Sequence, residues 1–273
     1  MPERKTTIAR KVFTLKSKQY LTPHYIRITL SGDVSEFQHS TIGDNNKIFI
    51  PPMGVEKVHF PVMDAQTKKW VQMDNKVAPW VRTYTHKGVD LEKDELYIDF
   101  VNHGDNGPAS AWAVNAALGD QLGVAMRTVP KELYPSHANW FLLVGDATAI
   151  PVLGAILDSL PVTAKGICVL KVSSVDDIQK LPTKAAIDFQ WIIEPDDRKE
   201  SQLTELVKSI EIPSGSKFGY VACEFSDVKQ IRTYLRKELE WSSDELYAYS
   251  YWKKGVAEDR SVVDRQAEKR SAD

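Results

Sequence analysis

Residues 81–87, VRTYTHK, put a cation, an aromatic ring and two hydroxyls on four adjacent positions: Arg82, Thr83, Tyr84 and Thr85. In an extended segment alternate side chains point to opposite faces, so Arg82 and Tyr84 share one side and Thr83 and Thr85 the other. A cation suits a phosphate, a flat ring suits stacking and a hydroxyl suits a heteroatom. An aromatic dinucleotide such as a flavin needs that combination. A second stretch, residues 99–113 (DFVNHGDNGPASAWA), supplies glycines and the small-residue run GPAS. Small residues let backbone N–H groups approach an anion at a helix start.

The elements that must carry these groups fall into two halves. In the first half Ile26, Ile28 and Leu30 alternate, as do Leu96, Ile98 and Phe100, and Leu122, Val124 and Met126. Strict alternation is the mark of half-buried strands. Residues 10–18 and 47–50 add further strands, the latter stopped by Pro51-Pro52. Short strands between Gly-Asp turn signals predict a closed antiparallel barrel of six strands. The helix inside this half is predicted over 109–117. Residues 51–79 are long and irregular, either a hairpin excursion or a lid.

The second half changes period. Apolar strands at 140–144, 167–172, 189–193, 218–223 and 246–251 alternate with helical patterns, among them Ile150, Leu153, Leu157 and Leu160. A short helix is expected over 176–180. The longest helix is carried by Val228, Ile231, Leu235 and Leu239. Strand–helix alternation predicts a parallel sheet with helices on both faces. The expected division is residues 1–135 for the barrel, 136–256 for the α/β domain and 257–273 for a charged tail, helical or unstructured.

Composition narrows the function. The chain has 273 residues, 42% apolar and 26% charged, with a net charge of −2. That balance argues against nucleic acid or a membrane surface as a general partner. The N-terminus lacks the apolar core of a signal peptide, and no apolar run approaches ~18 residues, so a cytoplasmic protein is expected. Cys168 and Cys223 sit in apolar runs and read as buried thiols. No zinc or iron–sulfur spacing, G-x-S-x-G, H-E-x-x-H, Walker A or G-x-G-x-x-G motif is present.

A barrel followed by an α/β domain, with R-x-Y-T on a barrel strand, resembles the ferredoxin-reductase-like flavoproteins. Within them the chain resembles one family closely, the siderophore-interacting proteins, flavin-dependent ferric-siderophore reductases. The resemblance rests on Arg82-Thr83-Tyr84-Thr85, on the block from Asp99 to Ala113, on Gly145-Asp146-x-Thr148-Ala149-x-Pro151, and on Tyr251-Trp252-x-x-Gly255. It implies that Arg82 neutralises the FAD diphosphate, Tyr84 stacks on the isoalloxazine and Thr85 meets N5. Taken alone, Tyr84 reads as an ordinary strand tyrosine. Phe100, Val101 and His103 would line flavin and ribose, largely through backbone. Ala109 and Ser110 would offer N–H groups and a hydroxyl to the diphosphate. Trp112 reads as core or as adenine packing. Asp146 and Thr148 are polar candidates at a strand's carboxyl end, or plain helix caps. The family carries an acid where Ala147 stands. Trp252 or Tyr251 reads as a cover for the flavin face, or as core.

The expected activity is FAD-dependent reduction of Fe(III) to Fe(II) in a siderophore. The alternatives are an NAD(P)H–flavin reductase and a flavoprotein that binds siderophore without turnover. Glu194-Pro195-Asp196-Asp197 follows a strand where a 2′-phosphate would call for basic residues, which disfavours NADPH and favours NADH or ferredoxin. Arg198 and Lys199 lie nearby and temper that reading. An anionic ferric chelate needs cations at the flavin edge. Lys47, Lys87, Arg127, Lys253, Lys254 and Arg260 are candidates, each beside a strand end or motif. A monomer is expected.

Overall fold

The computed structural model describes residues 7–105, 107–194 and 201–256. Two compact units divide between Lys131 and Glu132.

The first unit is an antiparallel sheet of seven strands: β1 (Ile8–Thr22), β2 (Tyr25–Ser31), β3 (Asn45–Ile50), β4 (Trp80–Thr85), β5 (Gly88–Asp90), β6 (Glu95–Val101) and β7 (Gln121–Arg127). They lie in the order β4-β3-β7-β1-β2-β6-β5, curled into a half-barrel. The expected six-stranded closed barrel is thus corrected to seven strands, with β4 and β5 as edges. The reason lies in two residues. The His86 N–H bonds Asp44 O at 2.8 Å, and the next N–H, of Lys87, bonds Tyr97 O at 3.2 Å. The chain crosses from the β3 side to β6 within that step, so β4 and β5 never pair.

Alternation holds along the strands. Phe13, Leu15, Ile26, Ile28, Leu30, Ile48, Leu96, Ile98, Phe100, Leu122 and Val124 form one buried cluster. Each fully buried aliphatic or aromatic side chain contributes roughly 1.5–3 kcal/mol of transfer free energy. Helix α1 (Pro108–Asn115) packs Ala109 and Ala113 onto the same cluster. The excursion over 51–79 contains a hairpin, with Met63 bridged to Trp70 and the Val71 N–H on Val62 O. Phe60 packs edge-on against Phe49 of β3 at 4.8 Å.

The second unit is a five-stranded sheet: β8 (Trp140–Asp146), β9 (Lys165–Val172), β10 (Ala186–Ile193), β11 (Lys217–Glu224) and β12 (Leu246–Trp252). The order is β10-β9-β8-β11-β12, all parallel. Leu142 and Val144 of β8 pack with α3 (Gln202–Ser209) and α4 (Phe225–Thr233) on one face. Helix α2 (Ile150–Ser159) takes the other. A Cβ at Gly145 would lie 2.5 Å from Ala149 Cβ and 3.0 Å from Leu153 Cδ1, so only glycine lets α2 close on β8. The short helix expected at 176–180 is a single 3-10 turn, Val175–Asp177. The expected longest helix is α4 followed by a π-turn over Tyr234–Glu238, where the Leu239 N–H bonds Tyr234 O. The tail over 257–273 lies outside the described residues.

Candidate functional site

Strand β4 pairs with β3, placing Arg82 opposite Ile48 and Tyr84 opposite Asn46. Because Ile48 faces the core, Arg82 and Tyr84 share that inner side, as alternation requires. The Tyr84 ring lies 4.4 Å from Phe100, and Phe100 lies 6.1 Å from Trp112. A half-buried cation at Arg82 and this aromatic row therefore sit on one face, beside α1. The Arg82 guanidinium donates to Val81 O at 2.8 Å. Thr83 is exposed, and its hydroxyl accepts from Lys47 Nζ across the strands. Thr85, at the strand end, is buried.

The segment from β6 to α1 completes the cradle. Asp99 is buried under a bidentate pair with Arg27, at 2.8 and 2.9 Å, and fixes β6 against β2. Val101 is half-buried at the strand end; His103 is exposed. Ser110 Oγ accepts from the His103 N–H at 3.1 Å and donates to Gly104 O at 2.7 Å. The expectation of a Ser110 hydroxyl offered to phosphate is corrected here: it is fully buried and ties the loop. Gly107, at φ +110°, precedes Pro108 at the first helical position. A left-handed glycine followed by proline starts α1 where its first-turn N–H groups lack helical partners.

Two buried side chains beside Tyr84 were not anticipated. Asn46 and His86 are each 1% exposed, and neither the amide atoms of Asn46 nor the ring nitrogens of His86 have a hydrogen-bond partner among the described residues. Burial lowers the His86 pKa to about 4, against a weaker opposing pull from Asp44. Folded cores leave buried polar groups unpaired only rarely, and such exceptions gather at sites. Nothing in the sequence marks Asn46; His86 directly follows the R-x-Y-T motif. The cation, the aromatic row, the helix start and these polar groups fit an FAD.

At the carboxyl ends of the parallel strands the polar groups are joined to one another. Asp146 Oδ1 accepts from the Thr148 N–H at 2.9 Å and the Thr148 hydroxyl at 2.5 Å; Oδ2 accepts from Trp252 Nε1 at 2.7 Å. Burial raises the Asp146 pKa, and those bonds oppose the rise. Ala149 is buried in the turn that Asp146 caps. Lys171 Nζ lies 2.7 Å from Asp227, 3.5 Å from Glu194 and 3.2 Å from Ser201 Oγ. Burial pulls the Lys171 pKa down, but Asp227, Asp146 and Glu194 outweigh it and hold it above its ordinary value. This network was missed; a lysine inside the apolar run ICVLKV was its only signal.

The candidate substrate cations divide between the units. Lys47 projects from β3 and Lys87 lies in the β4–β5 turn. Arg127 is turned to Asp44 at 3.2 Å, and Lys131 meets the same carboxylate at 2.9 Å, so two cations share one acid. Lys253 Nζ lies 4.8 Å from the Phe225 ring centroid, and the Lys254 N–H bonds Glu224 Oε1 at 3.1 Å. Arg260 and residues 195–199 lie outside the described residues.

Residues 14–129 match the siderophore-interacting FAD-binding domain, and residues 138–255 match the siderophore-interacting protein domain. Ferric vibriobactin reductase ViuB of Vibrio cholerae is 30% identical over 245 residues, 89% of each chain. The siderophore-interacting protein SipS of Aeromonas hydrophila superposes with a TM-score of 0.80 at 27% identity, covering 96% of this chain and 98% of that one. A siderophore utilization protein from T. fusca gives 0.81 at 24% identity, covering 93% and 96%. The fold is that of ferredoxin-reductase-like flavoproteins. This chain belongs to the siderophore-interacting protein family.

Proposed function

We propose that this chain is a cytoplasmic, monomeric, FAD-dependent ferric-siderophore reductase. The observation that carries the reading is the single inner face holding Arg82, Tyr84 and Phe100 beside the α1 start. Arg82 and the α1 N–H groups would hold the FAD diphosphate, Tyr84 would stack on the isoalloxazine and Thr85 would meet N5. Phe100, Val101 and His103 would shape its bed, Trp112 would back the aromatic row, and Thr83 would keep Lys47 in place. Bound FAD supplies the electron transfer. Lys47 and Lys87 of the first unit would draw in the anionic chelate.

The reaction adds one electron to Fe(III) in the chelate and yields Fe(II). Oxygen donors hold the less charged ion more weakly, so the metal is released. No side chain need move a proton. The donor would be NADH or a reduced ferredoxin; NADH, giving two electrons, would serve two chelates. Glu194 follows β10, where a 2′-phosphate would call for a cation, and the nearby Lys171 is already engaged by Glu194 and Asp227, which argues against NADPH. The free, buried Cys168 and Cys223 suit a reducing compartment. The test is anaerobic mixing of dithionite-reduced, FAD-loaded protein with ferric catecholate and ferric hydroxamate chelates, with Fe(II) trapped by a colorimetric ligand. Stoichiometric Fe(II) from at least one chelate is expected; none from any chelate would refute the activity.

A further inference from the structure

The excursion over 51–79 lies on the outer face of the first sheet, opposite the side that carries Arg82 and Tyr84. Leu122 and Val124 point into the core, so Gly123 between them faces outward. A Cβ at Gly123 would lie 2.8 Å from Val58 and 2.9 Å from Phe60, so the glycine lets this segment rest across β7. Arg10 of β1 holds it there. Its guanidinium donates to Pro61 O at 3.1 Å and stands 5.7 Å from the centroid of the Trp70 ring.

Past that anchor the hairpin carries apolar side chains on both of its faces. Met63 and Trp70 form its bridge and share one face; Val62 and Val71, one residue further along each strand, share the other. Their exposures are 44%, 56%, 62% and 50%. A hairpin covered by a flat protein surface needs one apolar face and one polar face. Two apolar faces suit a medium that surrounds them. The charges near the turn point to the same medium. The ammonium groups of Lys57, Lys68, Lys69 and Lys76 meet no acid among the described residues. Asp64 is held by the turn, where its Oδ1 accepts from the Gln66 N–H at 3.0 Å and the Thr67 N–H at 2.6 Å. With Arg10, five cations stand against Glu56, Asp64 and Asp74, a local excess in a chain whose net charge is −2.

We propose that the hairpin over 62–71 seats this chain on an anionic lipid surface. Val62, Met63, Trp70 and Val71 enter the headgroup layer, and Lys68 and Lys69 meet the lipid phosphates. Indole rings favour that boundary, lysine stems reach along it with their charge in water, and anionic headgroups attract the cations. The contact is peripheral, because no helix among the described residues is long and apolar enough to span a bilayer. It would hold a reductase of the proposed kind at the membrane that its chelate has crossed, yet it stands on the surface of the hairpin and not on the reductase reading.

The test is flotation of FAD-loaded, full-length protein with vesicles of phosphatidylglycerol and phosphatidylcholine, and with vesicles of phosphatidylcholine alone. The unsubstituted protein is expected to float with the anionic vesicles and not with the neutral ones. It should come off at about 1 M salt, where the screening length falls to about 3 Å. Lys69→Glu should bind about tenfold more weakly. Lys229→Glu, on α4, makes the same change in net charge and should bind like the parent. Trp70→Ser should lose about tenfold in affinity through its apolar contact. The FAD content and urea midpoint of each variant show that it is folded. A parent that stays in solution with both kinds of vesicle would overturn the proposal and leave the hairpin to a protein partner. Equal losses in Lys69→Glu and Lys229→Glu would overturn it too, because bulk charge would then explain the binding. A last measurement needs no variant. Anionic lipids with brominated acyl chains are expected to quench the tryptophan emission of the parent more than unbrominated ones, and equal emission would overturn the insertion.

Discussion

Two places in the molecule treat their buried polar groups in opposite ways. Beside Tyr84, Asn46 and His86 are sealed from solvent without a hydrogen-bond partner among the described residues. At the carboxyl end of β8, Asp146 accepts from Thr148 and Trp252, and at the end of β9, Lys171 is held by Asp227, Glu194 and Ser201. Unpaired buried groups cost stability, and folds tolerate them where something else is to be met. Paired ones confer rigidity but leave little for a ligand to take. The place beside Tyr84 leaves polar groups for a ligand to meet, and the carboxyl ends of β8 and β9 satisfy their own.

The contrast can be broken most forcefully at Lys171. Replacing Lys171 by Met should leave Asp227 and Glu194 as uncompensated buried charges and destabilise the second unit by about 3–5 kcal/mol. Urea unfolding followed by tryptophan fluorescence checks this; a loss under about 1 kcal/mol would show that the network is not rigid.

Next comes His86. Its folded pKa, about 4, lies below its unfolded value of 6.5. The neutral imidazole therefore stabilises the fold above about pH 6.5, and that contribution falls away as pH drops toward 4. The loss is on the order of 3 kcal/mol when complete. In His86→Phe the unfolding free energy should be flatter between pH 6.5 and 4 than in the parent. Parallel profiles would mean that His86 finds a partner when protonated.

Arg82→Ala should weaken FAD retention by at least about tenfold through loss of a charge-assisted contact to phosphate. The ratio of flavin to protein absorbance after gel filtration reads it directly. Full FAD content in that variant would remove Arg82 from the cofactor site. The smallest effect belongs to Gly107→Ala, where φ +110° strains any side chain. A stability loss of about 1 kcal/mol is expected, with FAD affinity falling in step. Unchanged affinity would detach the α1 start from the diphosphate.

Much of this was legible in the residue order. Alternation at Ile26, Ile28 and Leu30 marks β2 because half-buried strands repeat every two residues. The apolar runs of β8 and β11 mark a sheet covered on both faces. Arg82 and Tyr84 share one face because alternation survives folding, whereas Phe100 joined them only through the family resemblance. Other features left no local trace. Strand β5 has three residues, too few for a period, and its pairing with β6 is set by the Lys87–Tyr97 bond. The Ser110 hydroxyl reads as a phosphate donor in sequence and is turned inward by the Gly104 carbonyl. Trp252 and Asp146 are 106 residues apart, and only the parallel order of β8, β11 and β12 brings them together.

The most direct test of the first unit's role is flavin stoichiometry. Protein purified without added cofactor, then incubated with excess FAD and desalted, should release close to one FAD per chain on heat denaturation. A preparation that stays colourless through that loading, while remaining folded by circular dichroism, would contradict the account at its base.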